Sequence, residues 1–334
     1  MERKLPSSSV NSMSAKDRSR VDGLLNIDKP RDLTSHDVVA TVRRLTRVRR
    51  VGHAGTLDPQ ATGLLLIGLG QGTKLTQFLH EYPKTYRATL KLGLRTDSGD
   101  AAGKVVEVRP VRGVGRDAVE TVLASFQGTI EQIPPMYSAL KHQGQRLYTL
   151  ARQGIEIARQ PRRVQMRRLT LMQLSAEELS VEVECSSGTY IRVLADDIGA
   201  RLGCGAHLAA LVRTAIGPYT LAQALTLPAL KEAVSQGDWR RHVIAVAMAG
   251  AGFPHLLVTS AAAQSLVHGV PPTGQGIARV VGSFEAEETV AVFSLDGILL
   301  AMASPIVRSA DLRQVPCEAP FLRLRRVFST GGSC

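Results

Sequence analysis

The sequence predicts an α+β fold: a mixed, mainly antiparallel sheet with flanking helices, followed by a small all-β C-terminal domain. Three observations carry this. Tyr86, Ala88, Leu90 and Leu92 alternate with Arg87, Thr89 and Lys91, and Leu179, Val181, Val183 and Cys185 alternate with Ser180, Glu182 and Glu184. That period of two marks strands with one buried face. Between and around them stand helical spacings, as in Val119, Val122, Leu123 and Phe126. Beyond Pro254 the pattern becomes all-β, and Asp296-Gly297 between Val290–Phe293 and Ile298–Leu300 is a strong hairpin signal.

The chain has 334 residues, 44% of them hydrophobic, which is enough for a large domain with a small appendage. Its net charge of +12, at only 21% charged residues, reflects an arginine surplus and favours either a polyanionic partner or a solvated basic face. The four cysteines, Cys185, Cys204, Cys317 and Cys334, form no Cys-x-x-Cys pair, so neither a metal site nor a disulfide framework is supported. Residues 1–20 mix Ser, Lys and Arg without a hydrophobic run and read as a disordered tail, not a signal peptide. The stretch Val243–Phe253 is well short of the roughly 20 apolar residues of a membrane span. A cytoplasmic protein that makes no membrane contact is expected.

In chain order, Gly23–Ile27 reads as a short strand leading into Lys29-Pro30. Thr34 and Asp37 form a capping-box variant ahead of a helix carrying Val38, Val42 and Leu45. The basic end of that helix, Arg43, Arg44 and Arg47 followed by Arg49 and Arg50, is expected to face the loop that comes next. These arginines complement the helix dipole or contact phosphate, and five in eight residues exceed what capping requires. Leu64–Leu69 reads as a buried strand, Thr73–Leu79 as a short helix, and Val105–Val108 as a strand returning after a turn at Thr96–Gly99. Residues 132–165 change character: Pro134-Pro135, Lys141, Arg146, Arg152, Arg159, Arg162 and Arg163 are interleaved with Tyr137 and Tyr148. This composition suits a nucleic-acid-contacting insertion or a solvated excursion. After Ser186-Ser187-Gly188 comes a helix with the stripe Ile191, Leu194, Ala195, Ile198 and Leu202, with Gly203 as its C-cap signal. Arg192 lies off that stripe in the first turn, where a cation opposes the dipole, so an anion is expected beside it. Ala206–Arg213 reads as a second short helix, Pro228–Val234 as another, and Ala245–Phe253 as an apolar linker. The organisation expected is 21–250 as one domain and 254–328 as the β domain, with no internal repeat.

The stretch from Val51 to Leu66 carries the chemistry. It sets Asp58 in a Gly- and Pro-bounded loop before an apolar run, with His53 upstream. Leu57-Asp58-Pro59 alone is ordinary turn chemistry. The whole string His53-x-Gly55-x-Leu57-Asp58-Pro59-x-Ala61-Thr62-Gly63-Leu64-Leu65, however, resembles the catalytic motif of the TruB-type tRNA pseudouridine synthases. So do further blocks in family order over about residues 23–228: Lys29-Pro30 with Thr34-Ser35-His36-Asp37, Lys84-Thr85-Tyr86-Arg87, Pro134 to Lys141, Gly188-Thr189-Tyr190-Ile191-Arg192, and Leu202 to Leu211. Asp32 stands where the family usually has Gly, and if that position needs a positive φ, Asp tolerates it less well than Gly but better than most residues.

The resemblance implies a catalytic domain of pseudouridine synthase type and a C-terminal RNA-binding domain, often of the PUA type. It implies isomerisation of uridine to pseudouridine in the T loop of tRNA, without cofactor, metal or obligatory protein partner. It gives Asp58 the attack on the sugar or the base, Arg192 as its ion-pair partner, and Tyr86 stacking on the target base and taking the C5 proton. Tyr190 and Leu211 become pocket walls, Lys29 and Pro30 brace the loop, and residues 132–165 act as a thumb that closes on RNA. His53, read as a loop residue, either reaches toward the vacated stack or is a structural histidine in a tight loop, and Tyr86 by pattern alone is a core-edge residue. The uridine must leave its stack for Asp58 to reach C1′, at a cost of a few kcal/mol that phosphate contacts offset. Two other readings share these motifs: a non-catalytic tRNA-binding or folding protein, and a guide-dependent synthase acting on rRNA.

Overall fold

The computed structural model describes residues 21–138 and 140–328, and the tail expected over 1–20 lies outside them. Strand β1 (Gly23–Lys29) pairs antiparallel with β3 (Thr62–Leu69), bringing the Lys29-Pro30 loop beside the loop that carries Asp58. Between them, α1 (Ser35–Thr46) opens with a capping box in which the Thr34 hydroxyl accepts from the Asp37 amide at 3.1 Å and Asp37 Oδ2 accepts from the Thr34 amide at 2.9 Å. Strand β2 (Val51–Ala54) then pairs on β3.

A 3₁₀ turn and α2 (Thr76–Leu79) replace the single helix expected over 73–79, and β4 (Lys84–Leu92) follows with the alternating burial its pattern predicts. Strands β5 (Leu94–Thr96) and β6 (Val105–Val108) form a separate ribbon, α3 (Arg116–Ala124) packs on the sheet, and β7 (Gly128–Gln132) ends where the basic insertion begins. That insertion holds the hairpin β8 (Lys141–His142) and β9 (Gln145–Arg146) and α4 (Leu147–Arg152), and it leaves and returns on paired strands, Gln132 of β7 facing Arg162 of β10 (Arg162–Leu174). Strand β11 (Glu178–Cys185) joins β10 to β4, and α5 (Ile191–Arg201) buries Ile191, Leu194, Ala195 and Ile198 of the predicted stripe, with Leu202 half-buried just past its end.

The segment expected as a helix from Ala206 is instead β12 (Ala206–Ile216), a long central strand between β3 and β4. Its Ala- and Leu-rich sequence favours a helix. Its backbone nevertheless satisfies the ladder bonds of two neighbours, and tertiary pairing overrides propensity. Strands β13 (Tyr219–Thr220) and β14 (Leu225–Thr226), α6 (Leu227–Ser235) and β15 (Ile244–Ala245) complete an eleven-stranded sheet whose main path runs β14-β1-β3-β12-β4-β11-β10-β7.

The expected linker at 245–253 is α7 (Val246–Gly250) and a turn, with Ala249 and Phe253 buried. Next come β16 (His255–Val258), α8 (Ser260–Val267), β17 (Ile277–Val281), β18 (Val290–Ser294), β19 (Leu299–Pro305) and β20 (Leu322–Val327). These five strands form one sheet ordered β17-β16-β18-β19-β20, and Gly297 turns the predicted hairpin at φ 77°. The two sheets share a core: Leu24, Leu64, Leu66 and Phe78 pack in one cluster with Phe253, Ala291, Phe293 and Leu299. Across the same boundary, Lys74 Nζ donates to the Val327 carbonyl at 2.9 Å and the Thr289 hydroxyl to Glu81 Oε2 at 2.9 Å.

Candidate active site

The Asp58 loop is assembled by contacts that run from backbone to backbone. Ser35 Oγ donates to the Leu57 carbonyl at 3.2 Å and accepts from the Leu57 amide at 2.9 Å, which fixes the start of α1 against the loop. Lys29 is fully buried, and its ammonium donates to the carbonyls of Pro30, Leu33 and Pro59 at 2.9, 2.6 and 3.2 Å. Burial lowers its pKa to about 8. Asp32 occupies the left-handed region at φ 65°, so the position usually held by Gly does need a positive φ, and its amide donates to the Pro59 carbonyl at 2.9 Å. Leu57 and Ala61 anchor the loop in the core that also holds Tyr86.

Asp58 itself is exposed. Arg192, at the start of α5, is buried and brings Nη2 to 3.0 Å from Asp58 Oδ2, while its Nη1 lies 3.6 Å from Asp100 Oδ2. The anion expected beside Arg192 is therefore Asp58, with a second carboxylate on the other side. Asp100 was not among the residues the sequence singled out. It comes from the turn between β5 and β6, fixed because the Ala101 amide donates to the Leu208 carbonyl at 3.1 Å and the Leu208 amide to the Gly99 carbonyl at 2.9 Å. Its only sequence signal is its place in a Ser-Gly-Asp turn.

Tyr86 on β4 sits directly opposite Arg213 on β12, and Ala88 opposite Leu211, so Tyr86, Arg213 and Leu211 share one face of the sheet. Tyr86 is buried, and desolvation pushes its phenol pKa up, although the neighbouring Arg213 guanidinium acts in the opposite direction. Tyr190 precedes α5, where Gln132 brackets its backbone: Oε1 accepts from the Tyr190 amide at 3.0 Å and Nε2 donates to its carbonyl at 3.3 Å. The base of the basic insertion is thereby tied to the helix that carries Arg192.

His53 is a strand residue of β2, not a loop residue, because β2 pairs along β3. It is half-buried, its ring packs edge-on to His36 with centroids 5.4 Å apart, and its buried Nδ1 has no hydrogen-bond partner among the described residues. Burial, with His36, His80 and Arg213 nearby, lowers its pKa to about 4, so the imidazole is neutral at physiological pH.

The arginine cluster is not at this loop. The first turn of α1 touches Leu57, and its 12 residues carry the chain about 18 Å away. At the far end, Val51 pairs with Leu69 and the Arg50 carbonyl accepts from the Gly70 amide at 2.9 Å. Arg47, Arg49 and Arg50 there line a cleft of about 660 Å³ together with Arg240 and Trp239. Arg43 donates to the Val51 carbonyl at 3.2 Å, and Arg44 is exposed. The expectation that the basic end faces the motif loop fails on helix polarity alone. Lys141 and Arg146 lie in the β8–β9 hairpin, with side chains outside the described residues. Among the described residues no three His, Cys, Asp or Glu side chains gather as a metal site, and no helix is long and apolar enough to cross a membrane.

Residues 43–191 match the model of the TruB family pseudouridylate synthase N-terminal domain, and residues 192–246 that of the tRNA pseudouridylate synthase B C-terminal domain. The chain belongs to the TruB family of pseudouridylate synthases. A relative from Syntrophotalea carbinolica, tRNA pseudouridine synthase B, is 41% identical over 94% of this chain and all of that protein. The protein of the same name from Azoarcus sp. is 47% identical over 84% of this chain and 90% of its own length. Among solved structures, a Cbf5-Nop10-Gar1 complex contains a chain that superposes with a TM-score of 0.76 at 26% identity, covering 92% of this chain and 85% of that one. The TruB family match starts within α1 and ends at α5, so it spans both the Asp58 loop and the strand that carries Tyr86.

Proposed function

We propose that this enzyme isomerises a uridine in the T loop of tRNA to pseudouridine, with Asp58 as the attacking carboxylate. What carries the reading is the exposed Asp58 carboxylate held 3.0 Å from the buried Arg192 guanidinium, at the rim of the face bearing Tyr86 and Leu211. Breaking N1–C1′ and joining C5–C1′ conserves every atom and oxidation state. The reaction therefore asks for one ionised carboxylate beside the sugar and demands no cofactor. Arg192 keeps Asp58 oriented, with Asp100 holding the guanidinium from behind. The flipped base rests between Tyr86, Tyr190 and Leu211, and Tyr86 receives the proton lost from C5. His53, neutral and half-buried, lends an uncharged ring to the edge of the stack. Lys29 and Pro30 support the loop from below. The arginines at 43, 44, 47, 49 and 50, with Lys141 and Arg146 on the insertion, grip phosphates away from the reacting nucleotide. The similarity to proteins named tRNA pseudouridine synthase B supports tRNA as the substrate.

The test is tritium release from C5-labelled uridine in purified tRNA, without guide or protein partner. Asp58→Asn is expected to slow release by about three orders of magnitude or more, while tRNA binding persists. Wild-type release from that variant, or equal release from a tRNA whose T-loop uridines are replaced, would overturn the reading.

A further inference from the structure

Arg213 is among the most deeply buried side chains of the protein, 1% exposed, and the site described above gives it no role. Its Nε donates to the Leu64 carbonyl at 2.8 Å, Nη2 to the Gly55 carbonyl at 2.9 Å and Nη1 to the Thr56 carbonyl at 3.4 Å. Among the described residues no carboxylate lies within ion-pair distance of it. An uncompensated buried cation costs several kcal/mol, and neutral donors would serve to hold carbonyls. A retained charge here therefore points to something nearby that becomes negative.

Resting on the reading of Tyr86 as the group that receives the C5 proton, we propose that Arg213 is a positioning residue whose guanidinium clamps the Gly55–Thr56 backbone and stabilises Tyr86 as the phenolate. The two residues face each other across the β4–β12 ladder, and the positive charge of the guanidinium favours the phenolate against the burial that opposes it. Tyr86 faces Arg213 from β12, the Cys185 thiol from β11 and Asp58 from the loop. Burial pushes Cys185 up to about 11, so it stays a thiol, and Asp58 is engaged by Arg192. Arg213 faces, besides Tyr86, Lys29, His53, His80 and Lys84, whose protonated forms its charge disfavours. The phenol is thus the acidic group on which this cation can act.

The proton transfer balances as follows. Once C5 is bonded to C1′, the C5–H bond breaks and its electron pair re-forms C5=C6. The N1=C6 π pair returns to N1, which takes a proton from water, and the phenolate becomes phenol. The phenol then loses its proton to solvent before the next turnover.

Single-turnover tritium release at saturating tRNA, from pH 6 to 10, tests this with Arg213→Lys and Arg213→Gln. The ammonium of the first keeps the charge but falls short of the phenol. The rising limb of the rate profile is expected to move up by about half a pH unit or more in the Lys variant and further in Gln, with neutral-pH release at least about tenfold slower. Placing 3-fluorotyrosine, a more acidic phenol, at position 86 is expected to restore the limb in whichever variant folds. Slowing that is equal at every pH and untouched by the fluorinated phenol would reduce Arg213 to a loop brace and overturn the proposal. Full release from Tyr86→Phe would instead strike the reading of Tyr86 beneath it, and an inactive wild type the reading of the enzyme.

Discussion

At the residue scale, the site surrounds one carboxylate with cations that are nearly all buried: Arg192 beside it, Lys29 beneath the loop, and Arg213 behind Tyr86. His53 is the neutral member of this set, and it has a measurable signature. Its folded pKa of about 4 lies below the ordinary 6.5, so between those values the unfolded chain binds a proton that the folded one does not. His53 favours folding fully above pH 6.5, and that contribution is lost as the pH falls toward 4. Urea unfolding at pH 7.5, 6 and 4.5 is expected to show a smaller decline in His53→Gln than in wild type; the residual slope comes partly from His80, whose pKa burial also lowers. Asp58, Tyr86 and Arg192 were legible in the sequence because each sits in a motif string. Asp100 and Arg213 were not, because each acts through a partner far away along the chain, and only strand pairing makes them neighbours. His53 was misread as a loop residue because Val51–Ala54 is too short for its periodicity to be visible.

At the element scale, β12 is the strand on which the site is hung. It carries Leu211 and Arg213 toward Tyr86, and it anchors the Asp100 turn through Leu208. Its misreading as a helix follows from composition, since Ala and Leu are strong helix formers and the pattern shows no clean alternation. Two irregularities, between Leu208 and Ala210 and between Arg213 and Ala215, break the alternation that would have revealed a strand. The junction of β12 with β3 leaves no room for a side chain at Gly63. Its φ is 101°, and an added Cβ would lie 2.4 Å from the Arg213 carbonyl oxygen. Gly63→Ala is expected to destabilise the protein by about 2 kcal/mol or more, measured by thermal or urea unfolding, and to depress activity along with it. Unchanged stability would mean that β3 and β12 are not held in this close register.

At the scale of the whole molecule, the hairpin at Asp296-Gly297 was legible, but the attachment of its sheet was not. Apolar residues of the expected linker read as a connection, whereas Phe253 stacks on Tyr82 with ring centroids 4.8 Å apart and joins the shared core. The two sheets are therefore expected to unfold as one unit. Phe293→Ala should cost about 3–5 kcal/mol and lower a single cooperative calorimetric transition, not split off the transition of a free appendage. A biphasic melt in the wild type would contradict this. The direction of α1 has a last consequence. Because its first turn touches the Asp58 loop and the arginines that follow its last turn lie about 18 Å from its start, the proposed chemistry and the proposed phosphate grip are held apart by a rigid rod. An oligonucleotide trimmed to the target nucleotide and its nearest neighbours would reach one end of that rod and miss the other, separating turnover from salt-sensitive capture.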